Sequence, residues 1–134
     1  MEVKSIAKNI RVSPSKVRII ADQIRSLEPQ NAVKMLDFVN KRGSKPLKKA
    51  ILSAIANAVN NTNLDTESLT FKEINVQKGM VFKRYRPISR GRAHSILKQT
   101  SNIRVILNGS EKKKEIKKIE NVKETEEVKN GTKS

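Results

Sequence analysis

Residues 74–110, INVQKGMVFKRYRPISRGRAHSILKQTSNIRVILNGS, hold Lys78, Lys83, Arg84, Arg86, Arg90, Arg92, Lys98 and Arg104 but neither Asp nor Glu. The two ends, INV and IRVIL, are apolar and β-branched, whereas the middle, FKRYRPISRGRAH, is basic, carries turn residues and includes two aromatics. This pattern predicts a long β-hairpin with an apolar base and a cationic tip. With roughly a dozen residues per arm, at about 3.3 Å per residue, the hairpin would be about 40 Å long. A body of about 100 residues has a radius of gyration near 13 Å, so the hairpin must project beyond it. A lone two-stranded ribbon is marginally stable in water, and its distal half here offers little apolar surface. Something outside the protein is expected to support it.

The rest of the chain supplies a helical layer. Residues 3–12 read as a short strand or extended arm, with Ile6, Ile10 and Val12 on one parity. Ser13-Pro14 starts a helix, serine capping the free amides and proline filling the first helical position. Val17, Ile20, Ala21 and Ile24 follow at helical spacing, predicting a helix from about Pro14 to Ser26. Pro29 opens a second, with Ala32, Val33, Leu36 and Val39 as its stripe, stopped by Lys41-Arg42-Gly43-Ser44. The third is the clearest: Leu47, Ala50, Ile51, Ala54, Ile55, Ala58 and Val59 mark one face before Asn60-Asn61-Thr62-Asn63 ends it. Along residues 69–77 the apolar parity changes from Leu69 and Phe71 to Ile74 and Val76, as a β-bulge would require. On the return strand Ile103, Val105 and Leu107 share a face. The expected fold class is α+β, with three helices packed on a small antiparallel sheet, a long protruding β-hairpin over about 74–107 and a charged C-terminal tail.

Charge narrows the partners. The 134 residues carry a formal net charge of +16, and residues 1–108 hold 21 basic against 7 acidic residues. Such a field repels itself unless a polyanion neutralises it, and nucleic acid is the first candidate, ahead of an anionic membrane surface. There is no Cys, which excludes disulfides, thiolate zinc sites and cysteine nucleophiles. No secretory leader and no apolar run of about 18 residues is read, so neither secretion nor a membrane span is expected. Residues 109–134 form a second, charged segment, expected to be a tail disordered on its own.

Each hairpin residue has alternative readings. The cations are either a solvated face that blunts a strand edge or phosphate contacts, and the absence of acids favours the second. Tyr85 and Phe82 either form a small cross-strand pair or stack on bases that leave a helix. Gly91 reads as a turn residue or as a close approach to phosphate. His94 reads as a polar contact or stacking face, and Thr100 and Ser101 as donors to phosphate or 2′-hydroxyl oxygens. The helix cations Lys16, Arg18, Arg25, Lys48 and Lys49 are surface or RNA contacts. Catalysis finds no support: there is no Gly-rich phosphate loop, no nucleophile elbow and no paired carboxylates, so no catalytic residue, metal site or cofactor is expected.

Three pieces in this order, Ser13-Pro14-Ser15-Lys16-Val17-Arg18, then Ser53-Ala54-Ile55-Ala56-Asn57-Ala58, then Arg90-Gly91-Arg92-Ala93 followed by Asn102-Ile103-Arg104-Val105, resemble the family of bacterial-type ribosomal large-subunit protein twenty-two. The resemblance covers about residues 3–108. It implies a non-enzymatic structural protein, cytoplasmic and in the ribosome. Its body would sit on the large subunit's outer surface, where it binds rRNA and assists assembly, and its hairpin tip would line the nascent-peptide exit tunnel. The implied RNA contacts are Arg11, Lys16, Arg18 and Arg25 on the body, Lys83, Arg84, Arg90 and Arg92 at the tip, and Lys98, Thr100 and Ser101 on the returning arm. Lys78, Tyr85, Arg86, Gly91 and His94 complete the set read from the hairpin itself. Arg84, Arg86, Pro87, Ile88 and Arg90 form the tunnel-facing tip. The expected partners are large-subunit rRNA, neighbouring large-subunit ribosomal proteins and, transiently, the nascent peptide, with no membrane and no homo-oligomer. Two departures from the pattern are Ile88, where the family usually has a basic residue, and the tail after Leu107. The rival readings are a DNA-architectural protein with a basic β-ribbon arm, in which Ile88 is an apolar wedge, and a nuclease-like enzyme.

Overall fold

The sheet is built around its last strand. In the computed structural model, which describes residues 1–110, the strands are β1 (Glu2–Ile10), β2 (Thr70–Pro87) and β3 (Ala93–Asn108), all antiparallel in the order β1-β3-β2. The predicted tail from residue 111 onward lies outside the described residues. Three helices, α1 (Pro14–Ile24), α2 (Pro29–Phe38) and α3 (Ser44–Thr62), together with a 3₁₀ turn at Thr66–Ser68, complete an α+β fold.

The core follows from alternation on β3. Ile103, Val105 and Leu107 are fully buried, and their partners Val3 and Ser5 on β1 and Ile74 and Val76 on β2 lie on the same face. Val17, Ile20 and Ile24 of α1 and Leu47, Ile51, Ala54 and Ala58 of α3 close over that face, and Leu36 of α2, which packs on α3, joins the same cluster. The α3 stripe is as expected, and the helix ends at Thr62 with Asn63 in the left-handed region, its N–H donating to the Ala58 carbonyl. Helix α2 stops at Phe38, one residue before Val39, the last of its expected stripe.

Two of the three register shifts in the sheet depart from the sequence pattern. The shift between Phe71 and Glu73 is the one the parity change predicts. On β1, however, the buried parity is Val3 and Ser5, and Ile6 faces away at 52% exposure. A shift between Ala7 and Ile10, with Asn9 at φ 57°, then returns Ile10 to the core side. The Asn9 N–H is held by Asn102 Oδ1 at 2.8 Å. Ile6, Ile10 and Val12 therefore share a parity in sequence but not a face in space.

The third shift sits where the hairpin leaves the body. Lys78 pairs with Ser101 and Val81 with Gln99, so Gly79 and Met80 both oppose Thr100, a bulge. The Thr100 hydroxyl donates to the Met80 carbonyl at 2.6 Å. A Cβ on Gly79 would lie 2.5 Å from that hydroxyl oxygen and 3.2 Å from Asn102 Oδ1. Gly79→Ala must therefore displace a buried, hydrogen-bonded hydroxyl, an overpacking cost of about 1–3 kcal/mol. Urea unfolding should register that loss, while Met80→Ala, at a position 61% exposed, should leave the midpoint nearly unchanged.

Candidate nucleic-acid interface

Beyond the bulge the hairpin is a bare ribbon. Pairs from Val81↔Gln99 to Pro87↔Ala93 continue without further shifts, and Lys83 through Gln99 is exposed throughout. From Lys78 to Pro87 the arm spans about 30 Å of extended chain. Cross-strand partners share a face, so Phe82, Arg84 and Arg86 lie with Lys98, Ile96 and His94 on one side. Val81, Lys83 and Tyr85 lie with Gln99, Leu97 and Ser95 on the other, the side continuous with the core face of β3. One face is thus cationic, with Arg84, Arg86 and Lys98 on it, and the other is mixed. The chain reverses over residues 88–92, closed by the Ile88 N–H donating to the Arg92 carbonyl at 2.8 Å. Arg90 at φ 61° and Gly91 at φ 68° make the reversal, and nothing lies within 4 Å of where a Gly91 Cβ would stand. Gly91 is a turn residue, as one of its two readings has it.

At the hairpin's base a groove of about 960 Å³ opens between the ribbon and the start of α1. Among the described residues five cations line it, Arg11, Lys16, Arg42, Arg84 and Lys98, and no acid does. Its aromatic is Phe82, which is half-buried. The guanidinium carbons of Arg11 and Arg84 lie over the ring at 5.7 and 5.9 Å from its centroid, within cation–π range. Ser13 occupies the N-cap position with Pro14 after it, but its side chain makes no capping bond. Its hydroxyl instead pairs with Ser15 Oγ at 2.8 Å and donates to Gln99 Oε1 at 3.3 Å, tying the helix start to the returning arm.

The structure sorts the sequence-predicted contacts. Arg11, Lys16, Arg84 and Lys98 converge in the groove. Lys78, Lys83, Tyr85, Arg86, Arg90, Gly91, Arg92 and His94 line the exposed arms and turn. Pro87 and Ile88 stand at the entrance to the reversal, Ile88 at 40% exposure. Arg18 is partly committed elsewhere: its Nε and Nη2 both donate to the Val76 carbonyl, at 3.1 and 3.0 Å, satisfying an acceptor on the edge strand β2. Arg25 pairs with Asp22 at 3.0 Å on an exposed helix face. Of the other two helix cations, Lys48 pairs with Asp37 at 2.5 Å and Lys49 is exposed.

The structure places two pairs of these residues differently from their sequence pattern. Thr100 and Ser101 are buried at 1% and 0% exposure, because β3 is the central strand there and β1, β2 and the bulge enclose it. Thr100 lines the inner end of the groove, its hydroxyl committed to the Met80 carbonyl, and the Ser101 hydroxyl is enclosed. Of the two readings of Phe82 and Tyr85 the cross-strand pair falls, because both are on one strand at opposite parity: Phe82 opposes Lys98 and Tyr85 opposes Ser95. Tyr85, 77% exposed, keeps a free stacking face, whereas the Phe82 ring is occupied by arginines. The groove also contains Arg42, which in the sequence reads only as part of a helix stop. Nothing local to Lys41-Arg42-Gly43 signals that the loop between α2 and α3 lies beside Arg11 and Lys16.

Comparison with known proteins agrees with this architecture. The family described as Ribosomal protein L22p/L17e matches residues 5–108. Among curated relatives, the large ribosomal subunit protein uL22 of Mesoplasma florum is 44% identical over 108 residues, covering 81% of this chain and 96% of the relative. The large ribosomal subunit protein uL22 of Staphylococcus aureus is 40% identical over 116 residues, covering 86% and 99%. A match that takes in β1, all three helices and both arms of the hairpin, at this identity, establishes that the chain belongs to the ribosomal protein L22p/L17e family.

Proposed function

We propose that the protein is a structural, non-catalytic constituent of the large ribosomal subunit in the cytoplasm, binding rRNA and assisting its assembly. The observation that carries this reading is the bare ribbon. It holds cations on both arms, has no acid in its span, and stands beyond the reach of the core. Such an element is stabilised when phosphates surround it, and relatives over nearly their whole length are named as large-subunit proteins. Recognition would rest on RNA shape and backbone, since cations outnumber base-reading groups along the arms. Neighbouring ribosomal proteins are its further partners. At the tip, Arg84, Arg86, Pro87, Ile88 and Arg90 would line the nascent-peptide exit tunnel and place positive potential beside the passing chain.

The test is a competition between large-subunit rRNA fragments and bent duplex DNA for the full-length protein. Preference for the rRNA is expected. Preference for the DNA would sink this reading and favour the β-ribbon alternative, for which the exposed Ile88 is the wedge. Incubation of RNA with Mg²⁺ and the protein should release no cleavage products, and His94→Ala should change nothing in that assay.

A further inference from the structure

The groove at the hairpin's root has a composition that the general RNA-binding reading does not explain. Its five cations come from four separate parts of the chain: Arg11 follows β1, Lys16 is in α1, Arg42 is in the loop before α3, and Arg84 and Lys98 are on the hairpin. Among the described residues none of the five is paired with an acid. Like charges brought together this way repel one another, and an anion lying between them would offset that repulsion. The positive end of α1 opens on the same groove, with no acid in its first turn and no side-chain cap on its amides. Phe82 contributes an aromatic face, but two guanidiniums already lie over it, and a ring so occupied is not free to stack on a base.

We propose that the groove is a phosphodiester clamp that fixes the hairpin to the body: RNA backbone lies between Arg11, Lys16 and Arg42 on one side and Arg84 and Lys98 on the other, and Phe82 positions the two arginines. This rests on the rRNA-binding reading and adds to it which contact sets the angle of the hairpin. The recognised chemistry is a run of adjacent phosphates, with no base required. Ser13, bonded to Gln99, joins the two walls on the protein's own side.

Full-length protein and the variants Arg42→Gln, Arg11→Gln, Phe82→Leu and Phe82→Tyr are titrated with large-subunit rRNA and with short-chain inorganic polyphosphate, a base-free probe. Circular dichroism melts confirm that each variant retains its body. Arg42→Gln and Arg11→Gln should each weaken both ligands by about 10-fold, the scale of one hydrogen bond to a charged group. Each should also make the log–log salt slope for rRNA shallower by about 0.7–0.9. Phe82→Leu should weaken both ligands and Phe82→Tyr should restore them, because tyrosine keeps the ring that positions the arginines. If both arginine variants bind as the parent does while Arg92→Gln weakens rRNA, the clamp is wrong and the RNA reading stands. If Phe82→Leu weakens rRNA and leaves polyphosphate unchanged, the ring stacks on a base and its assigned role is wrong. If the parent protein shows no salt-dependent affinity for rRNA, the functional reading itself falls.

Discussion

Raising salt from about 50 to about 200 mM will lower the protein's affinity for large-subunit rRNA by about 10³–10⁵. The estimate follows from which cations remain free. Arg18 is bonded to the Val76 carbonyl, Arg25 to Asp22 and Arg104 to Glu73. Arg11, Lys16, Arg42, Lys78, Lys83, Arg84, Arg86, Arg90, Arg92 and Lys98 have no acid partner among the described residues. If about 6–10 of these ten meet phosphates, the counterions released give a log–log slope of about −5 to −9. A filter-binding or anisotropy titration across that salt range reads the slope directly. A slope near −2 would mean that the hairpin cations are only a solvated surface. The Asp22–Arg25 and Glu73–Arg104 pairs supply a control, since Arg25→Gln should move the slope far less than Arg92→Gln does.

The hairpin and α3 were legible because one period runs through each without interruption. Leu47 to Ala58 repeats at helical spacing, and Ile103, Val105 and Leu107 alternate on a central strand whose inner face is fully covered. The bulge after Phe71 was legible for a related reason, since apolar side chains flank it and expose the change of parity. At Gly79-Met80 the sequence beyond the bulge is solvated, so no buried side chain records the shift. In β1 the residues around the bulge are Lys8 and Asn9, and Ile6 reads as core only if the strand is assumed regular. The groove was half legible. A charge run predicts where cations are dense along the chain, but Arg42 joins Arg11 and Lys16 through packing of the α2–α3 loop, a long-range contact without a local signature. The burial of Thr100 and Ser101 was not legible, because a polar side chain reads as outward whereas a bulge and a central strand can bury a hydroxyl.

Ile103→Ala should destabilise the protein by about 2–5 kcal/mol, whereas Ile96→Ala should cost well under about 1 kcal/mol. The two isoleucines lie on the same strand, and the contrast tests where the body's support for the hairpin ends. Ile103 has no exposed surface and packs among Val76, Ala7 and the helical layer, so truncation leaves a cavity that the α-helices cannot collapse to fill. Ile96 pairs with Arg84 beyond the Gly79 bulge and is 42% exposed, with no third strand or helix over it among the described residues. Against a total stability of about 5–15 kcal/mol, the first change is a large share and the second is near the noise of a urea titration. The same boundary predicts that removing residues 82–93 leaves a body that unfolds cooperatively at nearly the parent midpoint, because none of the deleted side chains belongs to the core. Loss of cooperative unfolding in that truncated protein would show that the ribbon contributes to the fold, and the hairpin could then no longer be described as an element whose stability is supplied by the RNA around it.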